Sequence, residues 1–352
     1  MEELTVDEKY GLITRNLQEM IGDESEIKDI LAKRPLKLYW GTACTSKIHI
    51  GYFVQMMKIV DCLNAGCDMT ILIADLHAFL DNLKSSLQLI DARAIYYEKV
   101  VHLMLQSLGC DKQIKFVKGT SFQLSPSYTL DVYKANSFTT VKMAQHAGAE
   151  VVKQTDNPTM NSLLYPTLQA LDEEYLNVDV FVGGIDQRKI AMHARSIMPK
   201  LNYRKRSYLL TPMVPGLRRV AKDNDVKMSA SDPDSKIDLL DILSIIRKKI
   251  NKCYCIEGNV EDNCLMDILE LIIFPILKIK NSLFIIHRKE EYGGPIVYHD
   301  FDSVKDDFKN LILHPMDFKL GIVDSLEDII KPIRNAFESD ELKIILQNAY
   351  PK

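Results

Sequence analysis

The chain has 352 residues, more than one small core needs and about right for two domains of roughly 100 to 200 residues each. With 47% hydrophobic and 26% charged residues it has a globular make-up, which excludes a disordered or fibrous chain, and a net charge of −4 requires any nucleic acid to be held by local basic patches. No window reaches the roughly 18 uninterrupted apolar residues of a membrane helix. The N-terminus, Met1-Glu2-Glu3, is acidic where a secretory signal is basic, and the seven cysteines are scattered, so a cytoplasmic protein with reduced thiols is expected.

In chain order, the first strand signal is Leu36 to Trp40. It runs through Gly41 and a small-residue turn into His49-Ile50-Gly51-Tyr52 and an amphipathic helix, Tyr52 to Ala65, closed by Gly66. A strand, a loop and a helix N-terminus form a place where free N–H groups and the helix dipole attract phosphate, and Gly51 lets a flat ring approach the backbone. A second strand, Met69 to Ala74, precedes a helix from Ser86 to Leu108 that Gly109 ends, and Ile114 to Val117 is a third strand. The stretch from Thr120 to Leu171 is too long for a simple crossover and reads as an insertion between two halves of a sheet. At the end of this stretch, Tyr165, Gln169 and Asp172 fall at i, i+4 and i+7, on one helix face. That face lines a small amphiphilic pocket or is only a wet stripe on a surface helix.

Val178 to Val182 then runs into Gly183-Gly184-Ile185-Asp186-Gln187-Arg188, a strand meeting two glycines and a helix. Ligands of open α/β sheets bind at such strand ends, where Asp186 can accept bonds from ribose hydroxyls or, alternatively, cap the helix. A strand from Tyr208 to Leu210 lies in a stretch carrying Arg204, Lys205, Arg206, Arg218, Arg219 and Lys222, either a local basic patch or a solvated loop. Lys227-Met228-Ser229-Ala230-Ser231 adds a fixed cation and hydroxyls able to hold triphosphate oxygens. Beyond Pro233 the signals turn helical, with Ile237 to Asn251, Cys264 to Leu277 and Ser325 to Asn348. Cys253-Tyr254-Cys255 lacks the partner pair of a zinc site, and no protein-bound structural metal is expected. The pattern predicts an α/β fold with a parallel sheet over residues 1–232, followed by a mostly helical domain over 233–352.

The paired strings at 49–52 and 227–231, together with Leu38-Tyr39-Trp40-Gly41-Thr42-Ala43, Ala74-Asp75-Leu76-His77-Ala78, Leu164-Tyr165-Pro166 through Tyr175 and Gly183 through Lys189, carry a resemblance. The chain resembles a tyrosyl-tRNA synthetase of the eukaryotic and archaeal branch, a class I aminoacyl-tRNA synthetase, from about Leu12 to Pro351. The resemblance implies a Rossmann-like sheet whose insertion, about 120–172, is a homodimer interface, and a helical domain that binds the anticodon. It implies activation of L-tyrosine with ATP, accompanied by Mg²⁺, and transfer of tyrosine to tRNA(Tyr).

By the same resemblance, His49, Gly51, Lys227 and Ser229 serve catalysis. Gly41, Gly184, Asp186, Met228 and Ser231 join them around ATP, with Asp186 on the ribose. Tyr39 and Asp172 hold the substrate phenol, and Tyr165, Gln169 and Gln187 surround its ammonium. Arg188 reads the first acceptor base pair, while Tyr292, His314 and Asp317 contact the first anticodon base. Tyr52 stands where the common first signature has a second histidine, Ala230 replaces the usual second lysine, and the loop from Leu217 through Val226 is longer than in close relatives and lacks their glycine. The chain is also read as lacking the extra C-terminal domain of some eukaryotic members. Two other readings remain: a tryptophanyl-tRNA synthetase, and a synthetase-like RNA-binding protein without catalysis.

Overall fold

The computed structural model describes residues 4–81, 86–152, 156–217, 228 and 233–351. The apolar runs form β2 (Lys37–Thr42), β3 (Asp68–Ile73), β4 (Lys115–Lys118), β5 (Val180–Gly184) and β6 (Ser207–Thr211), all parallel, with a short antiparallel β1 (Glu19–Ile21) on the edge beside β6. Their order is β1-β6-β5-β2-β3-β4. The chain therefore leaves β2 outward through β3 and β4, then returns to the other side of β2 for β5 and β6. Between the carboxyl ends of β2 and β5 the connections part in opposite directions, which is the switch point where such sheets bind ligands.

Both faces of the sheet are covered, and the period of two decides which residue serves which face. Leu38 and Trp40 of β2, Val180 and Val182 of β5 and Leu209 of β6 join one apolar cluster; Tyr39, Phe181, Tyr208 and Leu210 join the other. The first face is packed by α3 (Tyr52–Asn64) and α5 (Leu87–Ser107), with α1 (Val6–Thr14) and α2 (Glu24–Leu31) at its margin. Gly66 and Gly109, at φ +78° and +73°, end α3 and α5 as expected of C′ glycines. Short α4 (Asp75–Leu80) follows β3. The insertion between β4 and β5 is helical: α6 (Thr120–Gln123), α7 (Pro126–Asn136), α8 (Val141–Gly148) and α9 (Met160–Tyr175). They cover the second face with α10 (Arg188–Ile197).

The remainder is α11 (Leu243–Lys252), α12 (Cys264–Ile268) running through a wide turn at Leu269–Ile273 into α13 (Phe274–Ile279), a hairpin of β7 (Phe284–Ile286) and β8 (Ile296–Tyr298), α14 (Phe301–Lys309), α15 (Pro315–Ala336) and α16 (Asp340–Ala349). Two expectations need correction here. The helix expected from Ile237 begins at Leu243, because Ile237 and Leu239 are tied as extended chain to Ile50 and Ile48. The helix expected over Ser325 to Asn348 is two helices. The first starts at Pro315 behind the His314 cap, and Ser339 caps the second, accepting from Leu342 N. The β7–β8 hairpin was not expected. Among the described residues no helix is long and apolar enough to cross a membrane.

Candidate active site

A cavity of about 260 Å³ opens at the carboxyl ends of β2 and β5. It takes Tyr39, Gly41 and Thr42 from β2, Gly183 and Gly184 from β5, His49, Gly51 and Tyr52 from the first signature, and Tyr165, Gln169 and Asp172 from α9. The i, i+4, i+7 face is thus a pocket wall and not a wet stripe.

Its closed end is built around Asp172, which is 1% exposed. Oδ1 accepts from Gln123 Nε2 at 2.7 Å and from the Tyr128 hydroxyl at 2.8 Å, which fixes the carboxyl group from the insertion side. Oδ2 has no hydrogen-bond partner, and neither has the buried hydroxyl of Tyr39. Burial pushes the Asp172 carboxyl up to about 7 against the pull of the Gln123 and Tyr128 bonds, and it drives the Tyr39 phenol well above its ordinary value. His77 Nε2 lies 3.8 Å from Asp172 Oδ2, but burial depresses the imidazole to about 4, so it stands there neutral. These two oxygens, with Gln123 Oε1 and His77 Nε2 beside them also without partners, are buried polar atoms costly to leave unpaired, a setting suited to a small donor–acceptor group.

Further out, Tyr165 meets His77 edge to face at 4.6 Å, and Gln169 Nε2 donates to Gln187 Oε1 at 2.9 Å. Asp81, 5% exposed, lines the cavity beside them. Gln123, Tyr128, His77 and Asp81 were not among the expected site residues. For His77 the signal was present in the string from Ala74 to Ala78; Gln123 and Tyr128 carried none, since the insertion reads only as an interface.

The open end holds the first signature. Gly51 N donates to His49 Nδ1 at 3.2 Å, and a Cβ on Gly51 would lie 2.9 Å from the imidazole, so this glycine is required by the histidine itself. The N–H groups of Tyr52 and Phe53 are bonded to the carbonyls of His49 and Ile50. The helix start therefore does not present the free N–H groups expected there, and phosphate would meet the imidazole and the helix dipole instead. A Cβ on Gly41 would make only ordinary contacts, so the protein's own packing does not require glycine there. Tyr52 packs edge to face on His49 at 5.0 Å, and its hydroxyl is 3.3 Å from Thr42 Oγ1.

Asp186 lies in a one-turn helix at Ile185–Gln187 and lines the cavity with Gly184. The cap position of α10 is Gln187, which removes the reading of Asp186 as its cap. Met228 is buried and lines the same cavity, its N–H bonded to Val214 O at 3.0 Å, so the second signature reaches the first. Lys227, Ser229, Ala230 and Ser231, with Arg218, Arg219 and Lys222 of the preceding loop, lie outside the described residues. The basic patch is corrected at two positions. Arg204 pairs with Asp179 at 2.7 Å, and buried Arg206 pairs with Glu174 at 2.5 Å, so both cations hold the sheet's lower rim.

Of the residues expected at tRNA, Arg188 is half exposed at the rim, its Nε bonded to Glu19 Oε2 at 2.7 Å. Exposed Tyr292 sits in a turn before Gly293 and Gly294. His314 caps α15 through Nδ1, and Asp317, in the first turn of that helix, is 3.5 Å from Arg288. Arg288 also donates to Gly294 O at 2.9 Å, drawing the Tyr292 turn and the α15 start into one patch. Sequence reasoning did not single out Arg288.

A doubly wound α/β sheet with a cavity at its switch point, lined by the first signature and by Met228 of the second, defines a fold of the Rossmann-like class. The profile of the family described as tRNA synthetases class I (W and Y) matches residues 31–331. The chain is 50% identical over 352 residues to the cytoplasmic tyrosine–tRNA ligase of Danio rerio, covering 100% of this chain and 64% of that one. It is 46% identical over 357 residues to the Saccharomyces cerevisiae enzyme of that name, covering 99% and 89%. The structure of a tyrosyl-tRNA synthetase complexed with L-tyrosine from Archaeoglobus fulgidus matches with a TM-score of 0.82 and 35% identity, over 94% of this chain and 99% of that one. The chain belongs to the class I tRNA synthetases of the tryptophan and tyrosine group, on their eukaryotic-type tyrosyl branch. It spans about 64% of the length of its vertebrate relatives.

Proposed function

We propose that this protein activates L-tyrosine with ATP to tyrosyl-adenylate and transfers the tyrosyl group to the 3′ end of tRNA(Tyr). The observation that carries this reading is the pair of orphaned oxygens, Tyr39 Oη and Asp172 Oδ2. A phenol supplies what both lack: it donates to the carboxylate and accepts from the tyrosine hydroxyl. Phenylalanine would leave both unpaired, and a site built to bond a substrate hydroxyl rejects the analogue without it by about 10⁴ to 10⁵, a range for which this family is itself the worked example. An indole has no hydroxyl for this pair, which speaks against the tryptophanyl reading. His49, Asp186 and Gln187 all line the cavity, which speaks against an inactive one.

In activation the tyrosine carboxylate attacks the α-phosphorus, a new O–P bond forms, and the bond to the β-phosphate oxygen breaks as pyrophosphate leaves. The protein's contribution is position and charge. Tyr165, Gln169, Gln187 and Asp81 would surround the ammonium, and His49 and Gly51 would contact ATP beside Gly41 and Gly184. Asp186 would take the ribose, with Lys227, Ser229 and Ser231 on the departing phosphates and Met228 closing the wall. Among the described residues no group of three His, Cys, Asp or Glu could cage a metal. Mg²⁺ would come with the ATP, whose phosphate charge it would neutralise.

Residues 1–232 would carry this chemistry and residues 233–352 would bind the anticodon, where Tyr292 stacks on a base and His314 and Asp317 select its edge. Arg188 would read the acceptor end, and the insertion would join two copies. A cytoplasmic location is supported by relatives that are named cytoplasmic tyrosine–tRNA ligases. Tyrosine-dependent exchange of labelled pyrophosphate into ATP tests the proposal. Exchange is expected with tyrosine and not with phenylalanine, and it should drop sharply in Lys227→Ala. No exchange, or equal exchange with both amino acids, overturns it.

A further inference from the structure

The loop between β2 and the first signature is held by three consecutive carbonyls, each bonded to a side chain from a distant part of the chain. Thr45 O accepts from Arg93 Nη1 at 2.7 Å, Ser46 O from the Tyr97 hydroxyl at 2.6 Å, and Lys47 O from Lys236 Nζ at 3.1 Å. Tyr97 and Lys236 are buried, so their bonds are shielded from water. Lys236 also pairs with Asp238 at 2.7 Å, close to it in the chain, whereas the second hold of Arg93 reaches the far end of the fold. Arg93 Nε donates to Ala349 O at 3.2 Å, at the end of α16, and its guanidinium lies 5.1 Å over the Tyr350 ring. Tyr350 in turn packs edge to face on Tyr96 at 5.2 Å. One planar cation thus joins the last helix of the chain to a loop whose Thr45 lines the cavity.

We propose that Arg93 is a positioning residue for ATP, tying the loop from Ala43 to Ile48 to the end of α16 so that docking of that helix sets the geometry of the nucleotide site. The inference rests on the function proposed above. A loop ordered before ATP arrives loses less freedom on binding, so the guanidinium contributes to ATP affinity without touching ATP. Tyrosine, seated in the recess between Tyr39 and α9, meets none of these bonds.

The test is the split between two KM values in pyrophosphate exchange, with ATP binding read in parallel from the fluorescence of Trp40, the one tryptophan of the chain, which lines the cavity. Arg93→Ala should raise the ATP KM about tenfold, the cost of one charge-assisted hydrogen bond, with tyrosine KM unchanged. Arg93→Lys, which keeps a cation and one donor, should recover part of the loss. Tyr350→Ala should raise the ATP KM about threefold through the lost cation–π contact. Tyr350→Phe should change nothing, because that hydroxyl has no hydrogen-bond partner. An unchanged ATP KM in Arg93→Ala, or a proportional rise in both KM values, overturns the proposal. If Arg93→Ala does not fold, an ATP KM in Arg93→Lys equal to the parent's overturns it equally. A parent without tyrosine-dependent exchange refutes the proposed function alone, and the ATP affinities read from Trp40 then decide the role of Arg93.

Discussion

Asp172 sits where a charge is expensive, with Gln123 and Tyr128 bonding one oxygen and nothing bonding the other. Its carboxyl, raised to about 7, keeps a proton in the folded protein that the unfolded chain has already released above pH about 4. The folded state binds more protons in that window, so stability falls as pH rises from about 4 through about 7. Glu173, pushed up to about 8 by burial, extends the decline. Asp172→Asn cannot ionise, and thermal unfolding of this variant between pH 5 and 8.5 should show a shallower loss than the parent. Parallel curves would mean that Asp172 is ionised throughout. The same substitution exchanges an acceptor for an amide and should weaken tyrosine binding about 10- to 150-fold, the worth of one hydrogen bond to a charged group, measured by Trp40 fluorescence. Helical spacing put Asp172, Tyr165 and Gln169 on one face but left open whether that face was a pocket wall or a wet stripe, and only the family resemblance assigned them to the site. His77 lay in a string that carried the resemblance, but Gln123 and Tyr128 were not legible, because each arrives from a different element and contact across elements leaves no period in the sequence.

The elements that build this recess are mostly those of the insertion, so it is a wall of the site as well as a connection. α9 turns its polar face to the cavity, α6 supplies Gln123 and α7 supplies Tyr128. On its outer side α7 exposes Leu130 and Tyr133, one turn apart, at 54% and 70%, with Leu124, Val141 and Met160 exposed nearby in the chain. Apolar groups so placed are the surface the proposed dimer would use. Leu130→Asp combined with Tyr133→Asp should convert a dimer to a monomer in sedimentation; an unchanged mass would remove α7 from the interface. Because Tyr128 shares α7 with these residues, the monomer should also bind tyrosine more weakly. The parallel strands were readable as apolar runs, being covered on both faces. β1 was not, since three residues against an edge carry too little pattern. The true start of α15 was signalled by Pro315, which suits a first helical turn, and the break before Ser339 by a serine followed by two acids; a long apolar period across both masked the boundary.

At the scale of the molecule, the two proposed halves have separate tasks and a common interior. The patch of Tyr292, His314 and Asp317 belongs to elements after 233, so Asp317→Ala should impair tRNA charging while sparing pyrophosphate exchange; equal charging would remove Asp317 from anticodon reading. The apolar cluster on the α3 side of the sheet, however, runs without interruption from Ile13 through Trp40, Ile59 and Val100 to Ile246, Leu326, Ile333 and Ala349. α15 and α16 both pack on α5. A fragment ending at residue 232 would expose the α5 side of that cluster, including Tyr96 and Val100, each 0% exposed in the whole chain. Burial of apolar area is worth about 25 cal/mol per Å², and net stability is only about 5 to 15 kcal/mol, so losing this contact should exceed what the fragment has. The full chain is therefore expected to unfold in one cooperative transition, and fragment 1–232 to lack one in calorimetry. A cooperative melt of that fragment near the parent's Tm would show two independent cores and would also remove the physical link by which α16 could act on the nucleotide loop.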